Sequence, residues 1–541
     1  MHKHHLLILG AGLMQKPAIL AAKKLGFYVT VIDGNPNALC IPLADSFENI
    51  DLKDYEAIKN FALKLKSEKF LSAIFTAGTD FSMSVSFAAE SCNFSAHSYK
   101  SAINASNKFE MRNCFKKNNV PSPNFFKVTQ DNLDFVCNST NIFEDFTFPL
   151  VVKPVDNMGG RGCKLITKNS ELKPALEDAL LNSRSKCAIV EDFMEGPEFS
   201  IDALVYNGTV TICGFADRHI YFPPYFIEMG HTMPTNISTE QKEDLIATFV
   251  QGIHSLGLSC GAAKADIKLT PKGPMIGEIA ARLSGGYMSG WTFPYASDFN
   301  LTEQAILIAC GEEPTELIKN RIKINLDKKL PFDVYEIPCV KFCAERAWIS
   351  IPGIVSSIEQ ISEIDKTSDS KYVFDILPRI STGDTVVFPK NNVEKCGNVI
   401  TVASSREQAI CSCEKKISSI LIRLKSNNPM TEKFFSECIH PAFILNDENS
   451  SKFYEYCETT CEKIEINKNI FDIIPDFLIS DLDILKDWNY RTLRQTLDLY
   501  EKYKPKNSSV KISIGKLWKS CILGGIQGML YYVDSVTDIV S

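Results

Sequence analysis

Three glycines fall within four positions, Gly159, Gly160 and Gly162, in the loop Asn157-Met-Gly-Gly-Arg-Gly162. This loop is set between two strand-like runs, Phe148-Pro-Leu-Val-Val-Lys153 and Cys163 to Thr167. Glycine reaches positive φ without steric cost, so such a loop can turn one strand back along the other as a tight hairpin. The same glycines let the backbone approach phosphate oxygens, and successive amides make an anion nest. The neighbours favour the second reading. Lys153 ends the preceding strand, where its ammonium can meet a phosphate, and Arg161 sits inside the loop. No G-x-x-x-x-G-K-[ST] run is present, so the loop is not a P-loop.

Around this loop the chain changes character twice. The first hundred residues alternate strands (Leu6–Leu9, Tyr28–Ile32, Ser72–Phe75) with helices (Lys16–Leu25, Tyr55–Lys66), which predicts a parallel sheet covered on both faces. Asn107 to Asn118 reads as an amphipathic helix ended by Pro121 and Pro123. Beyond the loop, Phe199–Tyr206 and Val210–Phe215 pair across Asn207-Gly208, a strong hairpin signal. A helix over 240–257 follows, and then two strands turning at Pro271-Lys-Gly-Pro274. From about 430 the chain becomes mostly helical, with Asp481 to Tyr503 at helical spacing.

The net charge of −7 weighs against nucleic acid or an anionic membrane as partner, since both favour a basic face. The 18 cysteines are mostly scattered. Cys457 and Cys461, and Cys411 and Cys413, lack partner pairs at zinc-site spacing, so reduced thiols in a cytoplasmic protein are the expectation. Gly10-Ala-Gly12-Leu-Met-Gln15 opens a helix after a strand, with Asp33 ending the next strand. Its third glycine position holds Gln15, which sets a nicotinamide dinucleotide aside, although the amides there can still hold an anionic group.

Two acids, Asp266 and Glu278, stand near the ends of adjacent strands. Carboxylates so placed can share a divalent cation, and Mg2+ usually takes one or two of them plus substrate phosphates. Arg282 follows four residues later, where a guanidinium can stabilise charge on a transferring phosphoryl group. The sequence Ser284-Gly285-Gly286 comes next.

Taken in order, these motifs resemble the ATP-grasp superfamily, in its carboxylate–amine ligase branch with a biotin-carboxylase-like domain order. They are Asn107-Lys108, Leu150-Val-Val-Lys-Pro154, the glycine loop, Val190-Glu-Asp-Phe-Met-Glu-Gly-Pro-Glu198, Lys264-Ala-Asp266 and Gly277-Glu-Ile-Ala-Ala-Arg-Leu-Ser-Gly-Gly286. The resemblance covers about residues 1–425. It implies an α/β multidomain chain: a Rossmann-like pre-ATP-grasp domain (1–100), an ATP-grasp fold (101–325, with a β-rich lid at about 146–205), a small β-rich segment (326–425) and a helical C-terminal region (426–541).

It also implies roles. Lys108 and Lys153 would contact the phosphates of ATP, and Gly159, Gly160 and Gly162 would close over them. The backbone of Glu191 to Met194, Phe193 included, would hold the adenine edge, and Glu198 the ribose. Asp266 and Glu278 would hold Mg2+, with Mn2+ as an alternative, and Arg282 would stabilise the transition state. Arg218, Glu228, His231, Ser284, Gly285 and Gly286 are the candidates for substrate contact. One departure stands out: the family often has asparagine two residues after the second metal-binding glutamate, and this chain has Ala280.

The activity implied is ADP-forming amide bond formation between a small carboxylate and an amine, through an acyl phosphate, by an amino-acid ligase-like enzyme with a homodimer left open. A bicarbonate-activating carboxylase and a non-catalytic ATP-binding regulatory protein are the rival readings.

Overall fold

The apolar run at the N-terminus forms a strand buried on both faces, as a parallel sheet requires. In the computed structural model, which describes residues 4–138, 146–326, 330–360, 372–460, 462–506 and 510–540, β1 (His5–Leu9) lies inside a four-stranded parallel sheet with β2 (Tyr28–Asp33), β3 (Ser46–Asn49) and β4 (Leu71–Phe75). The strand order is β3-β2-β1-β4. Helices α1 (Lys16–Lys24), α2 (Tyr55–Lys69) and α3 (Ser82–Cys92) connect or flank these strands. The glycine turn after β1 is closed by its own side chains. Asp33 Oδ2 accepts from the Ala11 amide (2.8 Å) and Gln15 Oε1 from the Gly12 amide (3.0 Å). Gln15 thus occupies, with its own carbonyl, the amide that an anionic ligand would need.

Two short helices follow, α4 (Tyr99–Ser106) and α5 (Lys108–Lys117). Asn107 caps α5, accepting from the amides of Phe109 (3.0 Å) and Glu110 (3.2 Å). Next come β5 (Phe125–Thr129), α6 (Leu133–Asn138), β6 (Leu150–Pro154), β7 (Lys164–Ile166), α7 (Leu172–Asn182) and β8 (Cys187–Asp192). The four strands form an antiparallel sheet in the order β5-β8-β6-β7, and α7 packs Leu176 and Ala179 against it. β6 and β7 are the hairpin expected around the glycine loop, with Val152 opposite Lys164.

A second sheet carries β9 (Glu198–Tyr206), β10 (Thr209–Tyr221), β11 (Ile227–Met233), β12 (Gly261–Thr270) and β13 (Gly273–Ala280). Four of its strands run in the order β13-β12-β9-β10. Asn207 and Gly208 both take positive φ (46° and 71°), which makes the tight two-residue turn between β9 and β10. Helix α8 (Thr239–Leu256) is boxed in at its start by Ser238 and Gln241 and ended by left-handed Gly257. It buries Leu245, Phe249 and Ile253 on Ile201, Ile267 and Ile279.

By contact density the chain divides into two units: Met1–Phe226, Gly230–Ala344 and Val402–Arg406 form one, and Ile227–Met229, Glu345–Thr401 and Glu407–Ser541 the other. The second unit holds short antiparallel strands, Gly353–Glu359 beside Leu421–Leu424 and Thr385–Val386. It also holds a helical cluster built on Trp518, Phe443, Leu497 and Tyr500. Here the structure corrects one expectation. The helix begins at Leu493, not Asp481. The Asp487 carboxylate accepts from the amides of Asn489 (2.8 Å) and Arg491 (2.9 Å), which gives the backbone a turn in place of a helix.

All the described cysteines are free thiols, and Cys461 lies outside the described residues. No helix among the described residues is long and apolar enough to cross a membrane.

Candidate active site

Side chains alternate across a strand, so residues two apart share a face. On β12, Lys264 and Asp266 share one, and Asp266 is paired in register with Glu278 on β13 and with Ser200 on β9. The sheet therefore sets two carboxylates side by side. Ser200 Oγ donates to Asp266 Oδ1 (2.9 Å), and the Lys264 ammonium meets the same oxygen. Lys108 Nζ lies 3.4 Å from Glu278 Oε2. Burial alone would raise Glu278, but Lys108, Lys264 and Lys153 together outweigh it and hold the carboxyl below its usual range. Among the described residues no three His, Cys, Asp or Glu side chains gather as a metal cluster. Two carboxylates with the remaining coordination left to phosphate and water is a donor set that fits Mg2+.

Lys108 starts α5, where the Asn107 cap points it at the glycine loop, and its Nζ donates to the Asn157 carbonyl (3.0 Å). Burial would lower Lys108, yet Glu278 and Asp80 hold its ammonium above the usual value. Gly159, Gly160 and Gly162 all have positive φ (68°, 77° and 70°). A Cβ on Gly162 would come within 2.8 Å of the Asn182 side chain. The loop needs glycine both for its backbone angles and for its packing on α7.

Lys153 meets a buried carboxylate, that of Glu191. Glu191 lies in the central strand β8, paired with Phe125 on one side and Val151 on the other, and is 2% exposed. Its backbone lies between the two partner strands β5 and β6. Its carboxylate joins two cations, Lys153 Nζ at 2.5 Å and Arg112 Nε at 2.8 Å. The Arg112 contact is an ion pair without hydrogen-bond alignment. Burial would raise Glu191, and Arg112 and Lys153 together hold it below the usual carboxylate value. Arg112 is fully buried and donates from Nη2 to the Gly277 carbonyl (2.7 Å). It went unnoticed because an arginine on a short amphipathic helix reads as solvated surface.

Past β8 the chain turns through Phe193 and Met194. Lys268 of β12 donates to the Met194 carbonyl (3.0 Å), stands 4.9 Å from the Phe193 ring centre and lies 3.6 Å from Glu198 Oε2. Glu198 is also ion-paired to Arg218. Arg218 in turn lies 3.4 Å from Asp266 Oδ1, so it bridges the carboxylates of Glu198 and Asp266.

Arg282 follows β13. Its Nη1 donates to the Leu283 carbonyl (3.1 Å), and its Nε is buried with no acceptor among the described residues. A buried guanidinium N–H without an acceptor is costly unless an anion completes it. The loop after it is held from two sides. Gly78 N donates to Leu283 O (3.3 Å), and a Cβ on Gly285 would fall 2.6 Å from Gly78 O. Gln15 Nε2 secures the same segment through Ala77 O (2.5 Å). Ser289 Oγ accepts from the Ser284 amide (2.7 Å) and donates to Asp202 Oδ2 (2.5 Å). Gly286 N reaches Ser284 Oγ at 3.4 Å. Burial pushes the Asp202 carboxyl up to about 7, against the Ser289 hydrogen bond and the charges of Lys264, Arg282 and His231. His231 is buried on β11. Glu228 belongs to the second unit, where Asn392 Oδ1 accepts from its amide (2.7 Å) and Lys395 Nζ donates to its carbonyl (2.6 Å).

Known proteins resemble this arrangement. Residues 146–290 match the ATP-grasp domain, and residues 348–425 match the L-amino acid ligase C-terminal domain 2. The chain is 22% identical over 407 residues to the uncharacterized protein y4rH of Sinorhizobium fredii, covering 74% of this chain and 78% of that one. It is 28% identical over 139 residues to carnosine synthase 1 of Homo sapiens, a match spanning 26% of this chain and 17% of that protein's length. In fold it resembles the L-amino acid ligase from Bacillus licheniformis, with a TM-score of 0.65 at 18% identity, over 79% of this chain and 100% of that one. The chain thus carries, in order, a segment that matches the ATP-grasp domain and one that matches the L-amino acid ligase C-terminal domain 2, on a fold shared with a known L-amino acid ligase.

Proposed function

We propose that this ligase activates a small carboxylate, an amino acid in the first instance, as an acyl phosphate and joins it to an amine with release of ADP and phosphate. The observation that carries this reading is Arg282, whose buried Nε has no acceptor among the described residues and which closely follows the strand bearing Glu278. Lys108 and Lys153 bind the phosphates of ATP under the lid glycines. Phe193 and Met194 flank the base and Glu198 takes the ribose hydroxyls. Asp266 and Glu278 hold a divalent cation, which when bound neutralises developing charge on the phosphates.

A carboxylate oxygen of the acid attacks the γ-phosphorus, and the bond to the bridging oxygen breaks as ADP leaves. Arg282 stabilises the charge on the transferring group. The amine nitrogen then attacks the acyl carbon, the bond to the phosphate oxygen breaks, and the nitrogen loses its proton as phosphate departs. Catalysis here is mainly positioning and electrostatics, and a closed lid keeps water from the acyl phosphate. Ser284, Gly285 and Gly286 border the acid, with Arg218 and His231 as further contacts. ADP release with MgATP, against amino acids singly and in pairs, tests the reading. Turnover that needs a specific pair is the expected result, and turnover with bicarbonate alone would replace it with a carboxylase.

A further inference from the structure

Two rows of residues cross the sheet side by side on the face that carries the metal-binding acids. One row is Glu278, Asp266 and Ser200. The other is Ala280, Lys264 and Asp202, since Lys264 is in register with Ala280 on β13 and with Asp202 on β9. Ala280 stands where the family pattern often supplies an asparagine, and an alanine methyl offers a cation nothing. Its partner across the strand is a fixed positive charge.

That charge has a carboxylate in each row and is bound to one of them. The Lys264 ammonium contacts Asp266 Oδ1, and its side chain is only 12% exposed. Asp202 is 1% exposed, gives one oxygen to Ser289, and has no hydrogen-bond partner for its Oδ1 among the described residues. A buried carboxylate oxygen without a partner is costly unless a cation can reach it. Lys264 is the neighbouring cation in its own row. It therefore has two carboxylates to choose between, one belonging to the metal pair and one not.

We propose that Lys264 stands in for a second divalent cation, so that the nucleotide site takes a single metal ion on Asp266 and Glu278 while Lys264 turns to Asp202. The inference rests on the ATP-site reading above. A second ion would lose its asparagine ligand at position 280 and would sit against an ammonium. The lysine supplies permanent positive charge at that place without a coordination sphere to complete. Lys264 is then a positioning residue, and the alanine and the lysine are two halves of one exchange.

Equilibrium dialysis of the full chain against Mn2+ and ADP, with bound metal and bound nucleotide counted separately, tests this. The expected ratio is one Mn2+ per ADP for the natural chain and two for the Lys264→Gln/Ala280→Asn double variant. Two per ADP in the natural chain overturns the proposal, as does a folded double variant that stays at one. Asp202→Asn is expected to weaken binding of the one ion, because Lys264 then has only Asp266 to hold. Unchanged affinity removes Asp202 from the account. If no ADP binds at all, the nucleotide-site reading beneath the proposal fails, a result distinct from a wrong metal count.

Discussion

Replacing Glu191 with glutamine changes one oxygen for an amide and nothing in volume, yet it strips the counter-charge from two cations at once. Arg112 is fully buried and Lys153 nearly so, and both point at this carboxylate at 2.8 and 2.5 Å. Removing one partner of a buried ion pair costs about 3–5 kcal/mol, because the charge left behind has neither water nor a counterion. In a unit of this size each kcal/mol moves the midpoint by about 2 °C, so Glu191→Gln is expected to lower it by roughly 6–10 °C. The assay is thermal unfolding, read at the transition that shifts when MgATP is added, since the two units need not melt together. Arg112→Met combined with Glu191→Leu removes both charges and is expected to cost less than the sum of the single changes. A Glu191→Gln midpoint within a degree of the natural protein would refute the reasoning: the carboxylate would then not be what keeps those cations buried.

Three further outcomes follow from the same geometry. Arg282→Ala is expected to lower kcat by about 10²–10³-fold, as loss of a group aimed at transition-state charge does, measured by ADP release at saturating ATP. Gly285→Ala forces a Cβ to within 2.6 Å of the Gly78 carbonyl, so the Ser284–Gly286 loop must shift; KM for the acid is expected to rise while ATP binding holds. Acid stability should report His97, which is buried with its Nδ1 accepting from the amides of Ser259 and Cys260 (both 3.2 Å). Burial lowers its pKa from 6.5 to about 4, so the folded state resists protonation that the unfolded chain accepts. The contribution is whole above about pH 6.5 and is lost as pH falls toward 4, a slope worth about 3 kcal/mol that His97→Gln should abolish in denaturant titrations.

Much of the scaffold was legible in local chemistry. Asn207-Gly208 demanded its turn, the amphipathic spacing from Asn107 to Asn118 marked a helix, and the Leu6–Leu9 run read as a buried strand. The turn of the glycine loop and the side-by-side placing of Asp266 and Glu278 were legible because glycine clusters mark tight turns and the two acids stand on adjacent strands. What stayed hidden depends on strands that meet only in three dimensions. Asp202 and Lys264 are far apart in sequence and become neighbours only because β9 pairs with β12. Lys268 likewise gains its role from crossing to Met194 and Glu198. The Glu191 ion pairs were hidden for the same reason, since α5 and β6 must bring Arg112 and Lys153 to one carboxylate on β8. Asp481 to Tyr503 shows the opposite failure, a helical apolar pattern overridden at its start by one aspartate capturing two amides.

The central claim is that the acid is activated as an acyl phosphate, and the fate of its oxygens tests this most directly. With a heavy-oxygen-labelled carboxylate, the amine and MgATP under single-turnover conditions, the account predicts one labelled oxygen in the released phosphate and the other in the amide product. Unlabelled phosphate, or label appearing in AMP, would contradict it.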